Sequence, residues 1–546
     1  MDLESEMTIH RKTLIGSAAL VALAASAPAF AKKAQVTPYL EVGQVLTADL
    51  KGDSNVLTYS TIAAGIDASI SNARSEAQIN YRYERRFDYG KNVNDQDIQT
   101  GLARGRFGIV PNRLNIEAGG IATRARQDIR GSAPGLLVGN VDNIVQVYSA
   151  FVGPTLTTNV GGLKVSGVYR LGYTRAEAGK FTPAPGQPAV DQFDDSVTNF
   201  ASASVGKESG SLPFGWTVSG AYRRDDAGQL DQRFESKTVR GDVVVPVSPT
   251  LALVGGVGYE DIEASQRSPL IDANGQPVVG SDGRFVTDKS SPRQLAYDQD
   301  GLFYDAGVVY RPNRRTNLEA RVGKRFGGLS YTGSATYQSS SATAFQVNVF
   351  DQIDTFAQQL NDNLALLPTS FTNFNNPLNS QVGGCLFGGG GSSSSQAGGC
   401  LNPAFQSVNG AVFRSRGITG LMSTNRGPLN IGFGAGYAQR KYRAPNGGGT
   451  IFSLNGVRDE SYFAQGQIAY QIDDVSNINA QVFASLFDSG IAGAPNVLST
   501  GATGAYNRTF GRNLSTTAAV GLFSSRVDGQ EGDLTGTALL GLRYSF

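Results

Sequence analysis

The last thirteen residues, LTGTALLGLRYSF from Leu534 to Phe546, carry the pattern that decides the fold. Leu534, Gly536, Ala538, Leu540, Leu542, Tyr544 and Phe546 point one way, while Thr535, Thr537, Arg543 and Ser545 point the other. Successive side chains of an extended strand alternate between its two faces, so this segment has one face suited to lipid and one suited to water. The same pattern recurs upstream. Leu163, Val165, Gly167, Tyr169, Leu171 and Tyr173 alternate with Lys164, Ser166, Arg170 and Thr174, and Trp216, Val218, Gly220 and Tyr222 alternate with Thr217, Ser219 and Arg223. Ile79, Tyr81 and Tyr83 stand opposite Glu76, Gln78, Asn80, Arg82 and Glu84. From Val36 onward the chain repeats such segments, each roughly 10 to 16 residues long and bounded by turn residues. A soluble sandwich has the same period, but one open sheet does not carry this many strands without curling. The expected fold is all-β, a single antiparallel transmembrane β-barrel.

Strand parity follows from the turns. Short turns fall at Asn72-Ala73-Arg74, Pro111-Asn112-Arg113, Val160-Gly161-Gly162, Ser209 to Pro213, Ser248-Pro249-Thr250, Pro312-Asn313-Arg314, Gln338 to Ala342, Asn425 to Pro428, Asp473 to Asn477 and Gly511 to Asn513. Bacterial barrels have an even strand number, short periplasmic turns and longer outer loops. Outer connections between these turns bring the expected count to about 22 strands, within a range of roughly 18 to 24, with both termini on the periplasmic side. The segment Thr343 to Asp354 carries that parity; without it the count becomes odd.

Composition narrows the class further. At roughly 150 residues per domain, 546 residues would suggest several domains, yet 68 are Gly and only 17% are charged, against about 25% charged in average chains. Lys plus Arg (47) nearly cancels Asp plus Glu (46), so no global field exists to gather nucleic acid or an anionic membrane face. After residue 31 no run approaches the ~18 apolar residues of a spanning helix, which excludes a multi-helix membrane fold. His10, Arg11 and Lys12 form a basic region, Leu14 to Ala25 an apolar one, and Ala29-Phe30-Ala31 a cleavage site. Residues 1–31 are therefore expected to be a signal peptide, with Met7 as the true start because the acidic Asp2 to Glu6 fits poorly before it. Residues 32–546 are expected to form the barrel, with a long outer connection at 355–410. The only histidine, His10, leaves with the signal, and with it go Ser-His-Asp sites, histidine bases and imidazole metal sites. The expectation is a non-enzyme with no catalytic, cofactor-binding or metal residues and no cofactor. In an oxidising compartment Cys385 and Cys400 are expected to form a disulfide, worth about 3 kcal/mol in loop-closure terms.

The first strand is expected by Val36 to Leu40, leaving no N-terminal plug, so the one sizeable candidate to fill a wide lumen is the connection from Thr355 to Gly410. From Ile353, just before it, Phe356, Leu360, Leu364 and Leu367 follow at helical spacing up to Pro368, which predicts a short amphipathic helix and makes Phe356, Leu360, Leu364 and Leu367 constriction candidates. The GGGGSSSS tract, Gly388 to Ser395, has flexible-linker composition. An external hairpin and an inward-folded constriction both remain open. Gly432, Gly434 and Gly436 alternate along a strand with no following helix, unlike a phosphate loop. Asp272-Ala273-Asn274-Gly275 fits a hairpin turn better than a calcium loop, and the pairs Asp194-Asp195, Asp225-Asp226 and Asp473-Asp474 read as hydrated strand ends. Alternation places Arg82, Glu84, Arg86, Glu117, Lys164, Arg170, Arg223, Glu319, Arg321, Arg325 and Arg543 in the lumen, either lining a pore or bracing its wall as ion pairs.

Four motifs, YRYERRF (Tyr81 to Phe87), GKRFGG (Gly323 to Gly328), FRSRG (Phe413 to Gly417) and the terminal LRYSF, resemble the β-barrel porin 2 group of outer-membrane proteins over nearly the whole mature chain. The resemblance implies a barrel in the cell outer membrane of a Gram-negative envelope, associated with exopolysaccharide export. Its implied partners are outer-membrane lipid and periplasmic polysaccharide-export components. Leu542, Tyr544 and Phe546 resemble the signal by which the barrel-assembly machinery recognises its clients. The function expected is a porin-like channel, for passive solute passage or as a polysaccharide conduit. The alternative is a structural or surface-interaction barrel with a blocked lumen. A preprotein-translocase accessory would need an inner-membrane helix that the sequence lacks.

Overall fold

The computed structural model describes residues 34–51, 56–89, 96–130, 143–177, 191–210, 212–371, 378, 382, 384–388, 397–445, 453–529 and 531–546. The expected signal peptide and most of the Gly388 to Ser395 tract lie outside these residues. The first eleven strands are β1 (Ala34–Lys51), β2 (Val56–Ser71), β3 (Ser75–Asp88), β4 (Gln96–Val110), β5 (Leu114–Arg126), β6 (Ile144–Val160), β7 (Leu163–Ala176), β8 (Asp195–Lys207), β9 (Gly215–Ala227), β10 (Arg233–Pro246) and β11 (Leu251–Gln266). There follow β12 (Gln294–Asn313), β13 (Thr316–Arg325), β14 (Gly328–Ser340) and β15 (Thr343–Asp354), then helix α1 (Phe356–Leu366) and a small hairpin of β16 (Cys385–Phe387) and β17 (Gly398–Cys400). The wall resumes with β18 (Val412–Arg426), β19 (Leu429–Arg443), β20 (Arg458–Asp473), β21 (Ser476–Asp488), β22 (Val497–Phe510), β23 (Leu514–Val527) and β24 (Asp533–Ser545).

All but β16 and β17 belong to one antiparallel sheet of 22 strands. It is closed, because β1 pairs with β2 on one side and with β24 on the other, from Tyr39↔Ser545 to Lys51↔Leu534. Closure removes the sheet edges, the condition under which strands can cross lipid with every backbone group satisfied. The strand expected at Thr343 to Asp354 is β15, and it pairs directly with β18, so the whole connection from Thr355 to Ala411 is inserted between two wall neighbours. The ten short turns lie at the expected places, with small shifts such as Arg314-Arg315 for the turn after β12. Between β6 and β7 the two turn residues Gly161 and Gly162 both have positive φ, 58° and 80°, the geometry a two-residue hairpin loop demands and one that only glycine adopts freely. Asn274-Gly275 likewise makes the tip of an outer hairpin, with Gly275 at φ 77° and Ile271 bridged to Pro277.

The two faces separate as the alternation requires. Leu540, Leu542 and Tyr544 of β24 are exposed on the outside, as are Val239, Val257, Leu302, Val322, Val482 and Val520 around the ring, whereas Thr537 and Leu539 are buried inside. An apolar exterior on a closed antiparallel barrel is the architecture of outer-membrane proteins.

Candidate functional site

The site is the lumen, and the connection between β15 and β18 occupies it. Thr355 opens α1 as its N-cap, its hydroxyl accepting from the Gln358 amide, and Pro368 lies just beyond the end, where a residue without an amide hydrogen cannot continue the ladder. Phe356, Leu360, Leu364 and Leu367 share one face and are at most 2% exposed. They pack against Leu102, Ile121, Val147 and Phe151, which project inward from β4, β5 and β6. Phe356 also meets Phe193 edge-on, with ring centroids 5.3 Å apart. An apolar patch on the inner wall and an apolar helix face thus remove each other from water, and of the two readings left open by the sequence this is the inward fold.

Polar contacts set the depth and register of the helix. Ser149 donates to Asn361 Oδ1 at 3.0 Å, and Asn361 Nδ2 donates to Thr198 Oγ1 at 2.9 Å. Asp362 accepts from Arg170 at 2.8 Å and pairs with Arg223 at 3.1 Å, while Arg223 also pairs with Asp354 at 3.0 Å. Arg104 donates to the Ala365 and Leu367 carbonyls at 2.9 and 3.1 Å, so a cation meets the unsatisfied oxygens at the helix C-terminus. Beyond the helix, Thr369 donates to Glu76 at 2.7 Å and the Phe371 amide to Gln78 at 2.9 Å. Glu76 and Gln78 adjoin the short turn at 72–74, so the segment descends from the outer end of the barrel toward the periplasmic one. Leu378 then packs among Val45, Tyr59, Ala505, Ala519 and Leu539 on the arc of the wall around the closure of β24 on β1.

The hairpin β16–β17 contains the expected disulfide, Cys385 to Cys400, and lies against β18 to β20. From there the chain climbs back. The Val408 amide donates to the Arg126 carbonyl at 2.9 Å, and Ser407 enters a fully buried cluster with Arg440, Asp459 and Tyr442, in which Tyr442 donates to Asp459 at 2.7 Å and Arg440 to Ser407 Oγ at 2.9 Å. At the outer mouth Gly410 sits against Asp191, whose carboxyl burial pushes up to about 7.

Most of the lumen residues expected from alternation do face inward, and there they are paired. Arg82 meets Glu41 at 2.8 Å and also Glu84, which is shared with Arg86 at 2.7 Å. Glu117 stands 3.9 Å from Arg104. Arg325 pairs with Glu260 at 2.7 Å, and Arg543 pairs with Asp67 while lying 3.5 Å above the Tyr39 ring. Arg321 bonds Glu319 at 2.6 Å and Asp242 at 2.7 Å, and Arg240 joins the same cluster through Asp242 and Asp305. Lys164 lies instead at the periplasmic rim, 62% exposed and 4.0 Å from Glu208. Near Arg321, Thr332 and Thr336 are exposed on the same inner face, paired in register with Arg321 and Asn317, so this arc of the wall is open to water. Leu542, Tyr544 and Phe546 are exposed on the outer face, Tyr544 and Phe546 in edge contact at 5.1 Å.

Arg104, Arg240 and Arg440 were not singled out from the sequence, although alternation along β4, β10 and β19 places them inside. Asp354 closes β15, where alternation reaches it, whereas Asp362 on α1 carries no signal, since a residue outside the strands has no two-residue period to reveal which part of the wall it meets. Among the described residues no cluster of His, Cys, Asp and Glu is arranged to hold a metal.

No protein-family model matches the chain, and no curated protein matches it in sequence. Solved structures of similar shape include the FrpB iron transporter of Neisseria meningitidis (F5-1 variant), at 10% identity, 93% of this chain, 82% of that one and a TM-score of 0.43. The ferric-catecholate import receptor Fiu of E. coli K12 matches at 11% identity, 93% and 81% coverage and 0.43, and the siderophore receptor PiuA of Acinetobacter baumannii at 9% identity, 93% and 82% coverage and 0.43. At these values the likeness carries no inference about substrate or mechanism.

Proposed function

We propose that this chain is an outer-membrane channel for hydrated polar solutes, narrowed by its own outer connection from Thr355 to Ala411. One observation carries the reading: the apolar face of α1 is buried on the inner wall, and the segment after it reaches the periplasmic half of the barrel. A 22-stranded barrel encloses a lumen wide enough to need filling, and here the described filler comes from between two wall strands. On the arc from β10 to β14 the inner face offers Thr332, Thr336 and the Arg240, Asp242, Asp305, Glu319 and Arg321 cluster. Hydroxyls and mutually neutralised charges suit neutral or zwitterionic solutes better than ions of one sign. Passage of a polysaccharide, implied by the porin 2 resemblance, is the finer form of this proposal, with periplasmic export components as partners and the terminal Leu542, Tyr544 and Phe546 as the assembly signal.

A second reading has support of its own. The ion pairs of Arg170, Arg223 and Asp362 tie α1 to β7 and β9, as they would in a barrel that stays blocked and serves a structural role. Planar-bilayer recording and liposome swelling with neutral sugars separate the two. A channel passes small sugars, and deletion of residues 356–410 with a short Gly-Ser bridge raises both conductance and the size limit. No current from either form, with the barrel assembled, would establish the blocked barrel instead.

A further inference from the structure

The stripe Gly432, Gly434 and Gly436 on the inner face of β19 has no part in the reading so far. Each is a strand residue absent from the positive-φ positions, so backbone conformation does not call for glycine. What calls for it is proximity. A Cβ on Gly432 would lie 2.5 Å from the Phe387 ring, one on Gly434 would lie 2.6 Å from Cys385 Sγ, and one on Gly436 would lie 2.6 Å from the Phe463 ring. The first two neighbours belong to the disulfide hairpin, and the missing side chains form the groove in which it sits.

The surroundings fit the hairpin closely. Gln465 on β20 accepts from the Cys385 amide at 2.9 Å and donates to the Cys385 carbonyl at 3.2 Å, so one side-chain amide satisfies both backbone groups of that residue, as a neighbouring strand would. Asn425, beside the periplasmic turn after β18, donates to the Gly388 carbonyl at 3.3 Å. Cys385, Phe387 and Ala397 pack with Leu421 and Phe463 of the wall. Phe371 is bridged to Gly388, which links the descending limb to the hairpin. The disulfide fixes the pairing of β16 with β17, so these two short strands dock as one unit and the cost of pairing them is met before docking.

The geometry points to a latch. The disulfide-joined strands β16 and β17, seated on Gly432 and Gly434 and clasped by Gln465, hold the internal segment closed from the periplasmic side, and their departure from the groove is the opening step. This rests on the proposal that the segment narrows a channel. It adds which contact is released, at the end of the barrel that periplasmic components reach.

The test is single-channel recording of three full-length variants, each checked for assembly by heat-modifiable migration. Gly432→Ala with Gly434→Ala places two methyl groups where the hairpin now sits without disturbing an extended strand. Gln465→Leu removes the clasp. Gly504→Ala, whose Cβ would meet nothing within 4 Å, is the control. The latch requires the first two to raise open probability by about five- to hundred-fold, the range produced by overpacking a filled site or by leaving buried backbone groups without partners, and the control to leave it unchanged. If both are silent while deletion of 356–410 raises conductance, the latch is refuted and the narrowing segment stands. If the deletion is silent as well, the channel reading falls with it.

Discussion

Replacing Leu360 and Leu364 together by alanine tests how the internal segment is held. Both side chains are 0% exposed and lie in the cluster that α1 forms with the inner wall. A buried Leu→Ala change costs about 2–5 kcal/mol. Two on one helix face share neighbours and are not strictly additive, so a combined loss of roughly 4 to 8 kcal/mol is expected. At 1.4 kcal/mol per tenfold, the equilibrium between seated and released helix moves by about a thousandfold or more. The wall loses little, since its 22 strands are joined by ladders that do not involve α1. Hydrogen exchange of the α1 amides reads the shift whether or not the released state is populated enough to conduct, and single-channel recording shows whether it opens the lumen. Exchange should accelerate by about three orders of magnitude or more, with heat-modifiable migration of the barrel unchanged. Less than a tenfold change in exchange would refute the claim that this apolar face holds the segment in place.

Arg223→Ala should leave the Asp354 carboxylate, 0% exposed, without its ion-pair partner. Breaking a buried pair costs about 3–5 kcal/mol, so proteolysis within the 355–411 connection should rise, while Arg223→Lys should restore part of the protection. Leu540→Arg puts a charge on the lipid face, where about 2–4 kcal/mol is lost near the midplane; reduced yield of folded barrel in the membrane fraction is the readout, and wild-type yield would overturn the face assignment. Asp191 holds its proton to about pH 7 when folded, against an ordinary value of 3.8. The folded chain therefore binds more protons between these values, and the outer mouth loses stability as pH rises from about 4 to about 7, then levels off. Protease sensitivity of the outer connections should follow that curve in the native chain and flatten in Asp191→Asn.

The barrel was legible in the sequence because its signal is repeated and local. Leu540 and Leu542 against Thr537 and Arg543 carry the same instruction as Tyr169 and Leu171 against Arg170, and each short turn resets the phase, so even strand number follows from counting. The helix was legible for the same reason: Phe356, Leu360, Leu364 and Leu367 have a period. Its destination was not, because the partners Leu102, Ile121 and Phe151 stand on the inner face, where the expected residue is polar, and an apolar residue there breaks no rule of the strand. Alternation shows that Arg170 and Arg223 face inward but not that Asp362 arrives between them, since that carboxylate comes from a helix more than a hundred residues away. The glycines of β19 were legible as absences, and only the seated hairpin shows what the absence accommodates.

The central claim, that the connection between β15 and β18 lies inside the barrel, is tested most directly by a cross-link. Ser149 on the inner face of β6 and Asn361 on α1 share a hydrogen bond of 3.0 Å. In Ser149→Cys with Asn361→Cys, expressed in intact cells and analysed by mass spectrometry under non-reducing conditions, a disulfide between positions 149 and 361 should form in assembled barrels alongside the native Cys385 to Cys400 bond. Assembled barrels in which position 361 stays a free thiol, open to a membrane-impermeant maleimide added outside the cell, would place the helix on the exterior and contradict the account.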